Sequence, residues 1–383
     1  MFEKPRRILS FDGGGIRGIL TAAMLEEVED KLKTINPDKE LREYFDIIAG
    51  TSSGSIIACG VACGISAKDI KALYKLHALD IFPEFLETIK SIIIRHLNQT
   101  VDFSTFNILN MWDIDNEKIK KFLSQPIYDG TGLEYSLKEI FGRQCFGELK
   151  SNVIITSYDV YNHQAVIFKS NKPEFQTLPI WEVCRASSAV PAAFPAHVIK
   201  NEEFIDHLEA KAKAKAKNGD ESLKVPPDGI PLIDGGIVAS NPALCAIAEC
   251  RKQHKKLPDV VASFGSGAGL HRITVRQAQG WGALNWMSLI RSIPLMDVFF
   301  DGSSDAVDYI VEQLFDDPNN YVRFQPIFKE NVVTFSADAK NIALLEDVAE
   351  RYMDTDEYQQ KLERIVKCLI SEQSTNLISS LSA

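Results

Sequence analysis

Apolar and polar positions along this chain switch between two periods. "RRILSF" (6–11) is an apolar run of strand length. "ILTAAMLEEVEDKL" (19–32) follows it, with Ile19, Ala22, Ala23, Leu25, Val28 and Leu32 at helical spacing. "YFDIIAG" (44–50) is a second short apolar run, and "SIIACGVACG" (55–64) reads as a helix of small residues suited to close packing. "NVIITSYD" (152–159), "QAVIFK" (164–169) and "PDVVASFG" (258–265) read as further strands, and 339–374 as helix. Strands alternating with helices predict an α/β fold whose central sheet is mainly parallel and flanked by helices.

Three segments stand outside the alternation. Residues 81–110 are rich in Ile, Leu and Phe, which suits either a cap over a cleft or core helix. Residues 206–228, "DHLEAKAKAKAKNGDESLKVPPD", are polar and low in complexity, and the Ala210–Lys217 run reads as a solvated loop. Residues 280–300 carry two tryptophans and two methionines, which suits a buried helix, an oligomer contact or an acyl-pocket or membrane surface. No linker or internal repeat splits the chain, so residues 1–383 read as one domain.

Composition narrows the class. A formal net charge of −10 over 383 residues disfavours nucleic acid, whose phosphates need clustered Lys and Arg. It also disfavours electrostatic docking on anionic lipid, so any membrane contact would be mainly apolar or locally basic. The seven cysteines are odd in number and form no C-x-x-C pair, which fits a reducing compartment. Cys59 and Cys63 read as packing residues. "MFEKPRRILSF" is not followed by an apolar signal core, and no run reaches the roughly 18 apolar residues of a spanning helix. The reading is a cytoplasmic protein, with room for peripheral contact at membranes.

Chemistry concentrates in three glycine-rich turns. In "DGGGIRG" (12–18), Gly13, Gly15 and Gly18 match the G-x-G-x-x-G spacing of a dinucleotide turn. That motif expects an acid about 20 residues on, at the end of the next strand; here the next strand ends in "GTSSG" (50–54). This is G-x-S-x-G between a strand and a helix, the setting of a nucleophile elbow, with Ser52 central and Gly50 and Gly54 flanking. The plain alternative is a small-residue turn without chemistry. A serine nucleophile needs a base and an oxyanion hole. The first loop offers N–H groups at a helix start. In "PLIDGGIVASNPALCAIAE" (231–249), Asp234 ends an apolar run and is followed by Gly235 and Gly236. Ser240 or Asn241 is the expected N-cap of the next helix, with Pro242 its first residue. A Ser–acid–His triad would have to use His271, because His254 lies in the solvated run "RKQHKK".

Four features in order resemble the patatin-like phospholipase family: "DGGGIRG", "GTSSG", "RASSAVPAAFPA" (185–196) and "DGG" (234–236), with weaker echoes to about residue 325. The resemblance implies a three-layer patatin-like fold with a Ser–Asp dyad at the C-terminal edge of the strands, and no catalytic histidine, metal or cofactor. Ser52 would be the nucleophile and Asp234 the general base. The N–H groups of Gly13, Gly14 and Gly15 would form the oxyanion hole, and Arg17 would brace the loop or meet a lipid phosphate. The implied activity is phospholipase A-type hydrolysis of phospholipid or related acyl-lipid esters, with transient membrane contact. The alternatives are the same hydrolase gated by a partner or a small signalling nucleotide, and a nucleotide sensor without hydrolase activity; a regulatory ligand or a homo-oligomer is left open as a partner. A free Asp, with pKa about 3.9, is a weak base, and desolvation in a lipid-filled cleft would raise it.

Overall fold

A computed structural model describes residues 6–83, 126–215, 228–269, 272–286, 294–330 and 332–381. The expected strands form, within three residues at the ends. β1 (Arg7–Phe11) and β2 (Ile47–Gly50) are buried on both faces, as parallel strands covered by helices are. They pair in parallel, Ile8 with Ile47 and Phe11 with Gly50. β3 (Asn152–Asp159) adds beside β2, β7 (Val260–Phe264) beside β1 and β8 (Tyr321–Phe324) beside β7, all parallel. β4 (Gln164–Lys169), β5 (His197–Ile199) and β6 (Ile230–Asp234) join antiparallel.

The pleat sends alternate side chains into two layers. Leu9, Phe11, Ile48, Val153 and Ile155 enter the larger core with α1 (Gly18–Ile35) and α2 (Ser53–Cys63). Ile8, Ile47, Ala49 and Ile154 point the other way, against Ala246 and Ile247 of α8 (Ala243–His254) and Val311 of α9 (Pro294–Leu314). Besides the short helices Pro173–Gln176, Val275–Gly280 and Ala283–Trp286, the other helices among the described residues are α3 (Ala67–Ile81), α4 (Thr131–Phe141), α5 (Ile180–Ser187), α6 (Glu202–Lys215), α7 (Gly236–Ala239), α10 (Ala339–Met353) and α11 (Asp356–Leu381). The last two fill the 339–374 stretch read as helix.

One detail of the sheet positions the site. β4 pairs with β3 from Ile154 to Asp159, filling one edge. β2 takes Asn152–Ile155 and β6 takes Ser157–Asp159, so both lie on the opposite edge. β2 runs parallel to β3 and β6 runs against it. Their C-terminal ends therefore meet along that edge, Gly50 beside Ile155 and Asp234 beside Ser157.

Two expectations need correction. Residues 202–215 form α6, so the first part of the Ala-Lys run is helical rather than loop. Ala and Lys are strong helix formers, and Phe204 and Leu208, one turn apart, are buried. The helix after Asp234 starts at Ala243 rather than Pro242, with the short α7 inserted before it. Asn241 Oδ1 still accepts the Ala243 N–H at 3.0 Å. Most of the apolar 81–110 segment (84–110) and residues 216–227 lie outside the described residues, as does His271.

Candidate active site

Ser52 sits where β2 turns into α2, with φ 53° and ψ −128°. A serine held in this strained region persists only where its surroundings fix it. The fixing contacts are close. A Cβ on Gly54 would strike the Phe11 and Asp12 carbonyls, and the Ser52 N–H donates to Ser187 Oγ at 2.8 Å. Gly50 lies equally tight against the Gly54 carbonyl. The turn lifts the Ser52 side chain off the sheet end, where β6 delivers Asp234.

Ser52 Oγ donates to Asp234 Oδ2 at 2.7 Å. The other carboxylate oxygen, Oδ1, accepts the Gly236 N–H at 2.7 Å. The Asp234 and Gly235 N–H groups donate to the Ala189 and Ser187 carbonyls, both at 3.0 Å. The "RASSAVPAAFPA" stretch therefore frames both members of the pair. Asp234 is fully buried. Burial pushes its carboxyl up to about 7, against the opposing pull of the Ser52 and Gly236 hydrogen bonds.

The first glycine loop lies against this pair. A Cβ on Gly13 would press on the Ser52 Cβ, and Gly15 adopts φ 55° beside the Thr334 carbonyl. The three expected donors separate here. The Gly13 N–H already donates to the Ser240 carbonyl at 3.0 Å, whereas among the described residues those of Gly14 and Gly15 have no partner. Arg17 is buried, and its guanidinium donates to the Gly14 and Gly267 carbonyls at 3.4 and 3.2 Å. The side chain is turned to these two backbone carbonyls.

Several supporting residues carried no signal of their own in the sequence. Arg323 on β8 grips Asp12 with both terminal nitrogens, Nη1 to Oδ1 at 2.9 Å and Nη2 to Oδ2 at 2.5 Å. The buried carboxylate holds this guanidinium charged, raising its pKa further. Ser304 Oγ adds a bond to Asp12 Oδ2 at 2.8 Å. Thr51 Oγ1 lies 2.7 Å from Thr156 Oγ1, tying the end of β2 to β3 at the position between the β2 and β6 pairings. Asp12, Thr51 and Ser187 lay in stretches already singled out; the Asp12–Arg323 pair joins positions 311 apart, which no local pattern reveals.

A cleft opens beside Ser52. Its walls are apolar, including Ile16, Ile56, Tyr74, Phe82, Phe194 and Phe335. Ser53 Oγ and Ser188 Oγ, of two further lining residues, are buried without a hydrogen-bond partner among the described residues. Among the described residues no helix is long and apolar enough to cross a membrane.

The model of the patatin-like phospholipase family matches residues 9–247, more than half of the chain. Over 370 residues the chain is 28% identical to patatin-like protein 2 of Arabidopsis thaliana, across 89% of this chain and 79% of that protein. It is 27% identical over 401 residues to a Solanum tuberosum protein named probable inactive patatin-3-Kuras 1, across 94% and 92%. VipD from Legionella pneumophila superposes with a TM-score of 0.43 at 15% identity, over 94% of this chain and 67% of that one. The match spans the glycine loop, the serine elbow and the aspartate turn: the chain belongs to the patatin-like phospholipase family, a family of lipid acyl hydrolases.

Proposed function

We propose that the protein cleaves fatty-acyl esters of phospholipids, as a phospholipase A, through a Ser52–Asp234 dyad. Because one relative bears the name of a probable inactive patatin, membership alone does not carry this reading. The observation that carries it is the buried 2.7 Å hydrogen bond from Ser52 Oγ to Asp234 Oδ2.

In the first step Asp234 accepts the Ser52 proton as Oγ attacks the ester carbonyl. The tetrahedral oxyanion takes hydrogen bonds from the Gly14 and Gly15 N–H groups at the start of α1. Collapse expels the lipid alkoxide, which takes the proton back from Asp234 and leaves as the lysolipid alcohol. Water then attacks the Ser52 ester, giving its proton to Asp234. The second collapse releases the fatty acid and returns the proton to Ser52 Oγ. The acyl chain occupies the apolar cleft beside Ser52. No histidine is needed, because a carboxyl raised to about 7 is half ionised near neutral pH and is a far better base than free Asp.

The test is release of free fatty acid from phosphatidylcholine vesicles, followed by mass spectrometry. Ser52→Ala is expected to lose at least about 1000-fold of the rate, with no acyl-protein adduct. Fatty acid release by Ser52→Ala at the wild-type rate would remove the reading.

A further inference from the structure

Helix α9 faces the site on one side and solvent on the other. The inner side is tied to the machinery. Phe300 packs where a Gly236 Cβ would lie, and Ser304 Oγ donates to Asp12 Oδ2 at 2.8 Å. Ser303 Oγ accepts the Ser240 N–H at 3.2 Å, and the Ser240 carbonyl in turn holds the Gly13 N–H.

The outer side is apolar. Val298, Phe299, Tyr309 and Ile310 expose 48%, 55%, 66% and 42% of their surface. Eleven positions separate Val298 from Tyr309, and Phe299 from Ile310. That is about three turns at 3.6 residues per turn, so the four form two adjacent rows on one face. Gly302, Ala306 and Gln313 fall on the same face, and Asp305, about 20° from Val298 around the helix, borders it. Exposed apolar rows of this length mark an interaction surface. One flank of the face is acidic: Asp301, Asp305 and Glu312 are exposed, and the whole helix contains no Lys, Arg or His.

We propose that this face docks the protein on a lipid surface, and that the acidic flank makes it select zwitterionic over anionic phospholipid. The inference rests on the hydrolase reading above, which requires Ser52 to work at such a surface. Two observations favour lipid as the occupant. The helix is hydrogen-bonded to the loops that flank Ser52, so a surface docked on its outer face lies about one helix diameter from those loops. With the apolar rows immersed, the carboxylates lie at headgroup level, beside the ammonium ends of zwitterionic lipids and repelled by anionic ones. A second copy of this chain would instead bring an equal row of carboxylates, with no basic residue on the helix to meet it.

The test uses the full chain carrying Ser52→Ala, so that the lipid survives, in a vesicle flotation assay. It should float with phosphatidylcholine vesicles and bind about tenfold more weakly once part of that lipid is replaced by phosphatidylserine. Adding Phe299→Ser and Ile310→Ser should weaken phosphatidylcholine binding at least about tenfold. In the Ser52-containing enzyme the same two changes should leave hydrolysis of a dissolved short-chain ester unchanged. Asp301→Asn with Asp305→Asn should restore binding to the anionic vesicles. Equal binding with and without Phe299 and Ile310 overturns the proposal, as does tighter binding to phosphatidylserine. A wild-type dimer that the Phe299/Ile310 variant converts to monomer assigns the face to a second copy and also overturns it. If flotation behaves as expected but the Ser52 enzyme releases no fatty acid, the docking face stands and the hydrolase reading falls. The reverse pattern has the opposite meaning.

Discussion

The turns after β1 and β2 are built alike and do different work. Both end a buried parallel strand, both are rich in glycine, and both open a helix. They sit side by side, Phe11 paired with Gly50. The turn after β2 carries a side chain in a strained conformation, and its serine N–H is already bonded to Ser187. The turn after β1 carries no side chain at its tip and leaves the Gly14 and Gly15 N–H groups without partners among the described residues. One turn therefore presents an oxygen and the other presents donors. What separates them is which backbone groups the surrounding fold has already engaged.

Two substitutions sharpen that comparison. The larger effect falls on the turn after β2, through Asp234. Its carboxyl moves from 3.8 to about 7 on folding. The folded state therefore holds its proton more tightly than the unfolded state. That contribution is full below pH 3.8 and is lost as pH rises through about 7. Above pH 7 the ionised, buried carboxylate destabilises the fold by up to about 4 kcal/mol. Asp234→Asn should therefore lose acyl transfer while melting at a higher temperature than wild type at pH 8. The gain should shrink toward pH 4. Scanning calorimetry at the two pH values checks this, and an Asn variant less stable at pH 8 than at pH 4, each relative to wild type, would count against it.

The smaller effect falls on the turn after β1. Gly15→Ala places a Cβ at φ 55° and against the Thr334 carbonyl, a strain of about 1–3 kcal/mol. The loop should shift and misalign its donors. Loss of one such donor lowers kcat by about 100- to 1000-fold, and KM should change little. Steady-state kinetics on a dissolved ester separates the two constants; an unchanged kcat would detach this loop from the oxyanion.

Much of this site was legible in the sequence because its parts are local. The strand–glycine–helix order fixed the two turns, and "GTSSG" and "DGG" singled out Ser52 and Asp234. What stayed hidden is carried by contacts between distant positions. No pattern in "PLIDGG" says that β6 runs against β3 on the edge that β2 vacates, yet that arrangement brings Asp234 to Ser52. The Gly13 N–H counted as a free donor until Ser240, more than two hundred residues away, engaged it. The "AKAKAK" run looked like a solvated loop because its polarity outweighed two buried residues, Phe204 and Leu208, that anchor it as helix. The exposed rows of α9 were invisible for a further reason: apolar residues at helical spacing look the same whether a core or a lipid covers them.

The central claim is that Asp234 is the base that ionises Ser52. It is tested most directly by the rate at which a fluorophosphonate labels Ser52, measured against pH by intact-protein mass spectrometry. The rate should climb with pH through a midpoint of about 7, and Asp234→Asn should abolish the labelling at every pH. A midpoint near 4, or labelling of the Asn variant at the wild-type rate, would contradict it.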